Sequence, residues 1–186
     1  METYGTYNYG MYDKIVCNKF RAILGGEVRI MATGSAPISM DVLNFLKVAF
    51  CCPILEGYGQ TESTAASCVT MPDDPIAGHV GGPLPCMKIR LKDIPEMGYL
   101  SKDTPNPRGE ICFQGPAVFK GYFQNPEKNK EAIIDGWLQT GDVGVILPNG
   151  AIQIIDRAKN IFKLAQGEYI APEKLENVYV QSPFIA

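Results

Sequence analysis

Residues 51–68 read "CCPILEGYGQTESTAASC". At the centre, Gly57-Tyr58-Gly59-Gln60-Thr61-Glu62, two glycines flank a tyrosine, and a hydroxyl and a carboxylate follow side by side. Pro53 ends whatever helix precedes it, and "PILE" then suits a short strand running into the glycines. Glycines let a backbone approach a ligand closely and offer its amide hydrogens unobstructed. Tyr58 supplies a flat face for a purine, and the Thr61 hydroxyl can donate to a phosphate oxygen. The Glu62 carboxylate is a hard oxygen ligand suited to Mg2+, which commonly arrives with phosphates. Together they suit a nucleoside triphosphate. The same six residues also suit a plain glycine-rich turn with a capping Thr and a solvated Glu.

Upstream, "YDKIVCNKFRAILGG" predicts a helix with Val16, Phe20, Ile23 and Leu24 on one face and Gly25 capping its end. "EVRIMATG" predicts a strand apolar enough to be buried on both faces. After the turn Gly34-Ser35-Ala36-Pro37, Ser39 is a fitting N-cap for a helix over residues 40–50, with Asp41 in its first turn. Strand, helix and second strand make a βαβ unit. Ligands in open α/β sheets settle at the carboxyl ends of such strands.

Downstream of Pro72 the strands become short and prolines and glycines frequent, which predicts a small, mostly antiparallel β subdomain. Asn149-Gly150 suits a hairpin turn. "NPEKNKEAIIDG" predicts a helix with Asn125 as N-cap, Pro126 at its first position and Gly136 beyond its end. The pattern resets near residues 156–159. "IFKLAQGEYI" then reads as strand and loop, and Pro172 opens a last helix. Neither end looks like a finished boundary, so the chain is expected to be a piece of a longer protein.

Net charge is −3 with no basic block, which argues against a nucleic-acid groove. No apolar run approaches the roughly 18 residues of a membrane span. "ISMDVLNFLKVAFCCPIL" is interrupted by Asp41, Asn44 and Lys47, and the first residues carry no signal-peptide pattern. The six cysteines form no C-x-x-C pair and there is one histidine, His79. Metal-ligand spacing is therefore lacking, and the cysteines read as reduced, mostly buried thiols. Cys51 and Cys52 are expected to line a core. Trp137 is expected to be a packing anchor and His79 to be non-catalytic. The tyrosines at 4, 7, 9 and 12 read as an exposed helix face.

Two further clusters carry chemistry. In "WLQTGDVG", Asp142 could hold two ribose hydroxyls, although an aspartate after Thr-Gly is also a common turn residue. In "IDRAKNIFKLAQGE", Arg157, Lys159 and Lys163 oppose phosphate in charge, although a solvated basic stretch looks the same.

The ordered set "IMATGSAPIS", "CCPILEGYGQTE", "GGPLP", "IPEMGY", "RGEICFQGPAVFKGY", "GWLQTGDVG" and "IDRAKNIFKLAQGEYIAPEKLE" resembles the adenylate-forming enzymes, and within them the eukaryotic long-chain acyl-CoA synthetases. The likeness runs from Gly25 onward. It implies an α/β fold: a partial βαβ sheet of a large adenylation domain with a small antiparallel β subdomain, then the start of an α+β C-terminal domain. It implies boundaries at 1–156 and 157–186, the second being a hinge and a truncated small domain. It implies ATP-dependent conversion of a long-chain fatty acid to acyl-AMP and then acyl-CoA, with ATP, Mg2+ and coenzyme A as cofactor or co-substrates. Two alternatives stay open: an inactive nucleotide-binding piece, or a ligase for an aryl or amino acid.

By position the resemblance implies that Ser35, Ala36, Pro37, Glu56, Gly57 and Tyr58 border the adenine, Thr61 contacts the α-phosphate and Glu62 holds Mg2+. It implies that Asp142 and Arg157 take the ribose. Lys159 would be the hinge, Lys163 a lysine at the adenylate or thioester step, and Gln166 and Gly167 the coenzyme A loop. The family's phosphate loop and its late catalytic lysine would lie before Met1 and after Ala186. The resemblance further implies a cytoplasmic protein, or one on the cytosolic face of the endoplasmic reticulum, with peroxisomal or mitochondrial membranes as alternatives. Membrane attachment would come through segments outside this stretch.

Overall fold

The computed structural model describes residues 10–164, 166, 169–180, 182 and 184, without the side chains of Lys163, Glu173, Lys174 and Asn177. Tyr4, Tyr7, Tyr9 and Gly167 lie outside the described residues.

The βαβ unit forms as the sequence predicts. Strand β1 (Met31–Thr33) lies parallel to β2 (Ile54–Tyr58), with Met31 beside Ile54 and Thr33 beside Glu56. Between them runs α2 (Met40–Phe50), preceded in the chain by α1 (Asn18–Ile23). The Ser39 side chain accepts from Val42 N–H at 3.3 Å, satisfying one of the four orphan donors of α2. The helix ends at Cys51, which is left-handed at φ 52°, with Pro53 two residues beyond it. Leu43, Lys47 and Ala49 face inward. Burial lowers the Lys47 pKa, partly offset by the carboxylates of Asp74 and Glu56. Its ammonium also donates to the Asp74 carbonyl at 3.4 Å. Burial in turn raises Glu56.

Two expectations upstream need correction. The strand is three residues long, and Ile30 is exposed, so it is not buried on both faces. The first helix opens as a π turn over Asp13–Cys17 before becoming α1. Its buried residues are Asp13 and Cys17, whereas Val16, Ile23 and Leu24 are exposed. The π turn widens the helix, shifting the face that meets α2 away from the 3.6-residue spacing. Phe20 does pack, edge to face against Phe45 at 5.9 Å. The turn out of α1 uses both Gly25 and Gly26, each at positive φ. Gly26 N–H reaches the Arg21 carbonyl at 2.8 Å, closing the helix end.

β2 continues the sheet antiparallel to β3 (Cys68–Val69), which pairs with β4 (Gly82–Pro83). The second sheet is antiparallel throughout. β5 (Lys88–Lys92) pairs with β6 (Arg108–Gln114), and β6 with β8 (Trp137–Ile146). β7 (Ile133–Ile134) and β9 (Ile152–Arg157) both pair with β8 along different parts of its length. A core of Cys68, Val80, Met87, Ile111, Phe113, Leu138 and Ile152 joins the two sheets.

The Asn149-Gly150 hairpin is present, with Leu147 N–H on the Ala151 carbonyl at 2.9 Å. Helix α3 (Pro126–Ala132) is capped by the Asn125 side chain, as expected. It stops earlier than its glycine suggests. Ile133 and Ile134 are β-branched and leave the helix to pair with Leu138 and Trp137. Gly136, with Asp135, makes that hairpin's turn at positive φ instead of ending a helix. Trp137 is half-buried, with the Arg90 guanidinium 4.5 Å from its ring centroid. His79 is buried; its Nδ1 accepts from Gly81 N–H and its Nε2 lies 3.3 Å from Asp74 Oδ2. After β9, β10 (Phe162–Lys163) pairs with β11 (Tyr169–Ile170), and α4 (Pro172–Tyr179) begins at Pro172.

Candidate functional site

The glycine at 59 is demanded by the chain itself. A Cβ there would sit 1.7 Å from the Ala65 carbonyl oxygen. The loop after β2 therefore doubles back against its own start, and the short helical turn Thr61–Ser63 forms inside it. Buried Ser63 fixes that turn, its hydroxyl accepting from Gln60 N–H at 3.1 Å. Gly57 differs: a Cβ there meets its neighbours at 3.7–3.8 Å, an ordinary contact.

The turn borders an open cleft of about 1180 Å³ between the ends of β1 and β2 and residues 138–140 of β8. Ser35, Gly57, Tyr58, Thr61, Glu62 and Arg157 all line it. The cleft lies where the parallel strands β1 and β2 end, the position such sheets favour for ligands.

Asp142 stands behind this lining and is 5% exposed. It is not a turn residue, nor at the start of a strand, but lies within β8. The β8–β9 register places it directly across from Arg157. Its Oδ2 accepts from the Tyr58 hydroxyl at 2.6 Å and from Gln60 Nε2 at 2.9 Å. Its Oδ1 faces Arg157 Nε at 3.3 Å. Burial, and then the Asp142 charge, drive the Tyr58 pKa far above its ordinary value, so the phenol remains a neutral donor. The Tyr58 ring packs on Phe113 at 5.8 Å.

Other predicted residues lie apart. Ala36, Pro37 and Glu56 are not in the cleft wall. Lys159 is exposed in the turn after β9. The Lys163 backbone lies in β10, Gln166 is exposed, and Gly167 falls outside the described residues.

Sequence reading passed over three contributors. Gln60 reads as a spacer between two informative residues, yet its amide ties Asp142 and the Thr140 carbonyl to the loop. Thr140 lines the cleft. Tyr122 donates to Glu62 Oε1 at 2.7 Å, and this bond to Glu62 raises its pKa. Its ring meets Phe119 edge-on at 4.8 Å. Backbone and side-chain bonds pin the same two segments, from Phe119 N–H to the Glu62 carbonyl and from Thr64 Oγ1 to the Ala117 carbonyl. The "FKGY" ending was the one available signal for Tyr122.

Residues 7–123 match the model of the AMP-binding enzyme family. Human long-chain-fatty-acid–CoA ligase 1 is 54% identical over 180 residues, covering 96% of this chain and 25% of that protein. Long chain acyl-CoA synthetase 7, peroxisomal, of Arabidopsis thaliana is 52% identical over 176 residues, covering 94% of this chain and 25% of that protein. The chain thus spans about a quarter of the length of these relatives. Among solved structures, the A domain of a carboxylic acid reductase from Segniliparus rugosus, in complex with AMP and a co-purified carboxylic acid, superposes with TM-score 0.76 at 32% identity. That match covers 95% of this chain and 27% of that one. O-succinylbenzoate coenzyme A synthetase from Bacillus subtilis, in complex with ATP and magnesium ion, gives TM-score 0.74 at 26% identity, covering 90% of this chain and 36% of that one. Among the described residues no helix is long and apolar enough to cross a membrane. With more than half its length matched and its mixed α/β architecture shared with adenylation domains, the chain belongs to the AMP-binding enzyme family.

Proposed function

We propose that this chain supplies the nucleotide-holding wall of a long-chain fatty-acid–CoA ligase. In the full reaction a fatty carboxylate oxygen attacks the α-phosphorus of ATP and pyrophosphate leaves. The coenzyme A thiol then attacks the acyl carbon and AMP leaves. The observation that carries the reading is the joining of Tyr58, Gln60 and Arg157 on one buried carboxylate at the edge of the cleft that Thr61 and Glu62 line.

Each residue then has a role. Gly57 gives a smooth backbone surface where a side chain would meet the adenine ring, since its own chain leaves room for a Cβ. Tyr58 and Gln60 hold Asp142 Oδ2, which leaves Oδ1 and the exposed Arg157 to meet the ribose hydroxyls. Thr61 is exposed toward the cleft and donates to the α-phosphate. Donors fixed before the reaction stabilise the charge that gathers on phosphate oxygens as pyrophosphate departs.

Glu62 suits Mg2+ on chemical grounds. It is a hard carboxylate in the cleft wall, oriented by the Tyr122 phenol, and Mg2+ is commonly held by one or two carboxylates plus phosphates. The bound ion would offset phosphate charge.

Residues 157–186 are read as hinge and opening of the small domain, with Lys159 the pivot, Lys163 reaching the adenylate, and Gln166 and Gly167 meeting coenzyme A. The larger enzyme is placed in the cytoplasm or on the cytosolic face of an organelle membrane. A ligase for another acid is the second reading, supported by the likeness to the O-succinylbenzoate enzyme. The 54% identity to a long-chain enzyme favours the fatty acid.

Calorimetric titration of the 186-residue chain with AMP tests the wall, with binding expected for the wild type and at least a tenfold loss in Asp142→Ala. No difference between them would overturn the assignment. The chain alone is expected to make no palmitoyl-CoA from ATP, palmitate and coenzyme A. In the full-length enzyme, pyrophosphate release with palmitate should exceed that with coumarate, and the reverse order would favour the second reading.

A further inference from the structure

Outside the cleft, three metal-ligating side chains meet where the first helix crosses the end of α2. Asp13, Cys17 and Cys51 place one donor atom each within 4.8 Å of one another. We propose that they form a site for a thiophilic divalent cation such as zinc, with two sulfurs and one carboxylate oxygen as protein ligands.

The spacing already suits an ion. Zinc bonds of about 2.3 Å to sulfur and about 2.0 Å to oxygen, at a tetrahedral angle, set the sulfur and oxygen about 3.5 Å apart. Cys51 Sγ and Asp13 Oδ1 are 3.4 Å apart. Both sulfurs also face one oxygen, the Val48 carbonyl, at 3.5 Å from Cys17 and 3.4 Å from Cys51. Asp13 and Cys17 are buried, while Cys51 is partly exposed and gives an ion its way in. The π turn over Asp13–Cys17 widens the helix and stacks residues four apart more closely than an α turn does. Cys51 ends α2 in the left-handed conformation, and its sulfur there lies against Asp13.

A Cys17–Cys51 disulfide is the competing use of the sulfurs. Either use removes the thiol hydrogen that Cys51 gives to Asp13, but a disulfide puts nothing in its place at Asp13 Oδ1, whereas a cation takes that oxygen as a ligand and so employs all three groups. Binding releases the two thiol protons to solvent and fixes the first helix to the end of α2. Three residues past Cys51 the chain enters β2, which carries Gly57 and Tyr58 to the cleft. The site would therefore brace the strand that delivers the nucleotide wall.

The test is a Co2+ titration of the reduced, chelator-stripped 186-residue chain, read by the near-ultraviolet thiolate-to-cobalt charge-transfer band. One Co2+ per chain is expected, displaced by Zn2+. Cys17→Ser and Asp13→Asn should each weaken binding at least tenfold, and Cys86→Ser should not. Circular dichroism reports whether each variant folds. If the variants do not fold, the wild-type titration decides alone. A folded wild type with no charge-transfer band overturns the proposal. So does a band that survives Cys17→Ser, or a Cys17–Cys51 disulfide whose reduced form binds no cobalt.

Discussion

Tyr58 and Asp142 are 84 residues apart in the chain, and their oxygens are 2.6 Å apart in the fold. One ends the β2 strand of the mixed sheet and the other lies inside the antiparallel sheet. Their bond fixes the cleft wall across both sheets. Tyr58→Phe removes one donor from a buried carboxylate, an omission that costs about 1–3 kcal/mol. Urea unfolding should show a loss of that size. An unchanged midpoint would mean that Gln60 suffices to hold Asp142.

Glu62 and Tyr122 meet at the surface through one phenol-to-carboxylate hydrogen bond that water can replace, so their contribution to folding is small, about 1 kcal/mol. Their contribution to ligand affinity should be larger. Tyr122→Phe should leave the unfolding midpoint nearly unchanged and weaken MgATP binding more than binding of metal-free ATP. Equal losses for the two ligands would remove Glu62 from the magnesium assignment.

Gly57 and Gly59 separate the fold from the ligand. Gly59→Ala drives a methyl into the Ala65 carbonyl and should destabilise the protein by several kcal/mol, seen as an early thermal transition. Gly57→Ala meets only ordinary contacts and should fold like the wild type. It should lose AMP affinity in calorimetry because its methyl enters the cleft. A folded Gly57→Ala chain with full AMP affinity would place the adenine elsewhere.

Burial raises the Cys68 thiol to about 12 and the Cys112 thiol to about 11. In the unfolded chain both deprotonate near the ordinary value of 9.0. Above that pH the native state holds protons the unfolded state has released, so stability falls as pH rises. The contribution is complete below pH 9.0 and is lost through 11 and 12, at about 1.4 kcal/mol per pH unit for each thiol. Urea midpoints at pH 8, 9 and 10, on the order of the range where thiols titrate, should fall more steeply in the wild type than in Cys68→Ala/Cys112→Ala. Parallel slopes would show that these thiols do not set the alkaline limit.

Local chemistry made the βαβ unit legible. Ser39, Pro53 and the glycines announce their elements through capping and backbone restriction, and all act within a few residues. The antiparallel texture after Pro72 was equally readable. The first helix was not, because a π turn breaks the 3.6-residue period on which the face assignment of Val16, Ile23 and Leu24 depends. The end of α3 was missed because Ile133 and Ile134 find partners on β8, a contact set by tertiary pairing. At the site, Thr61, Glu62 and Asp142 stood out by residue type. Gln60 and Tyr122 did not, since their roles arise from who sits opposite them in space. The convergence of Asp13, Cys17 and Cys51 was hidden for the same reason, with Asp13 and Cys51 at a sequence separation of 38.

The bond from Phe119 N–H to the Glu62 carbonyl joins two distant loops through atoms that every residue possesses. A seam sewn with main-chain thread is blind to the identity of the side chains it passes. Only an N–H at 119 and a carbonyl at 62 are needed for the stitch, so the seam itself would outlast a change of side chain at 62, and a variant altered there to retune the ligand would keep its scaffold.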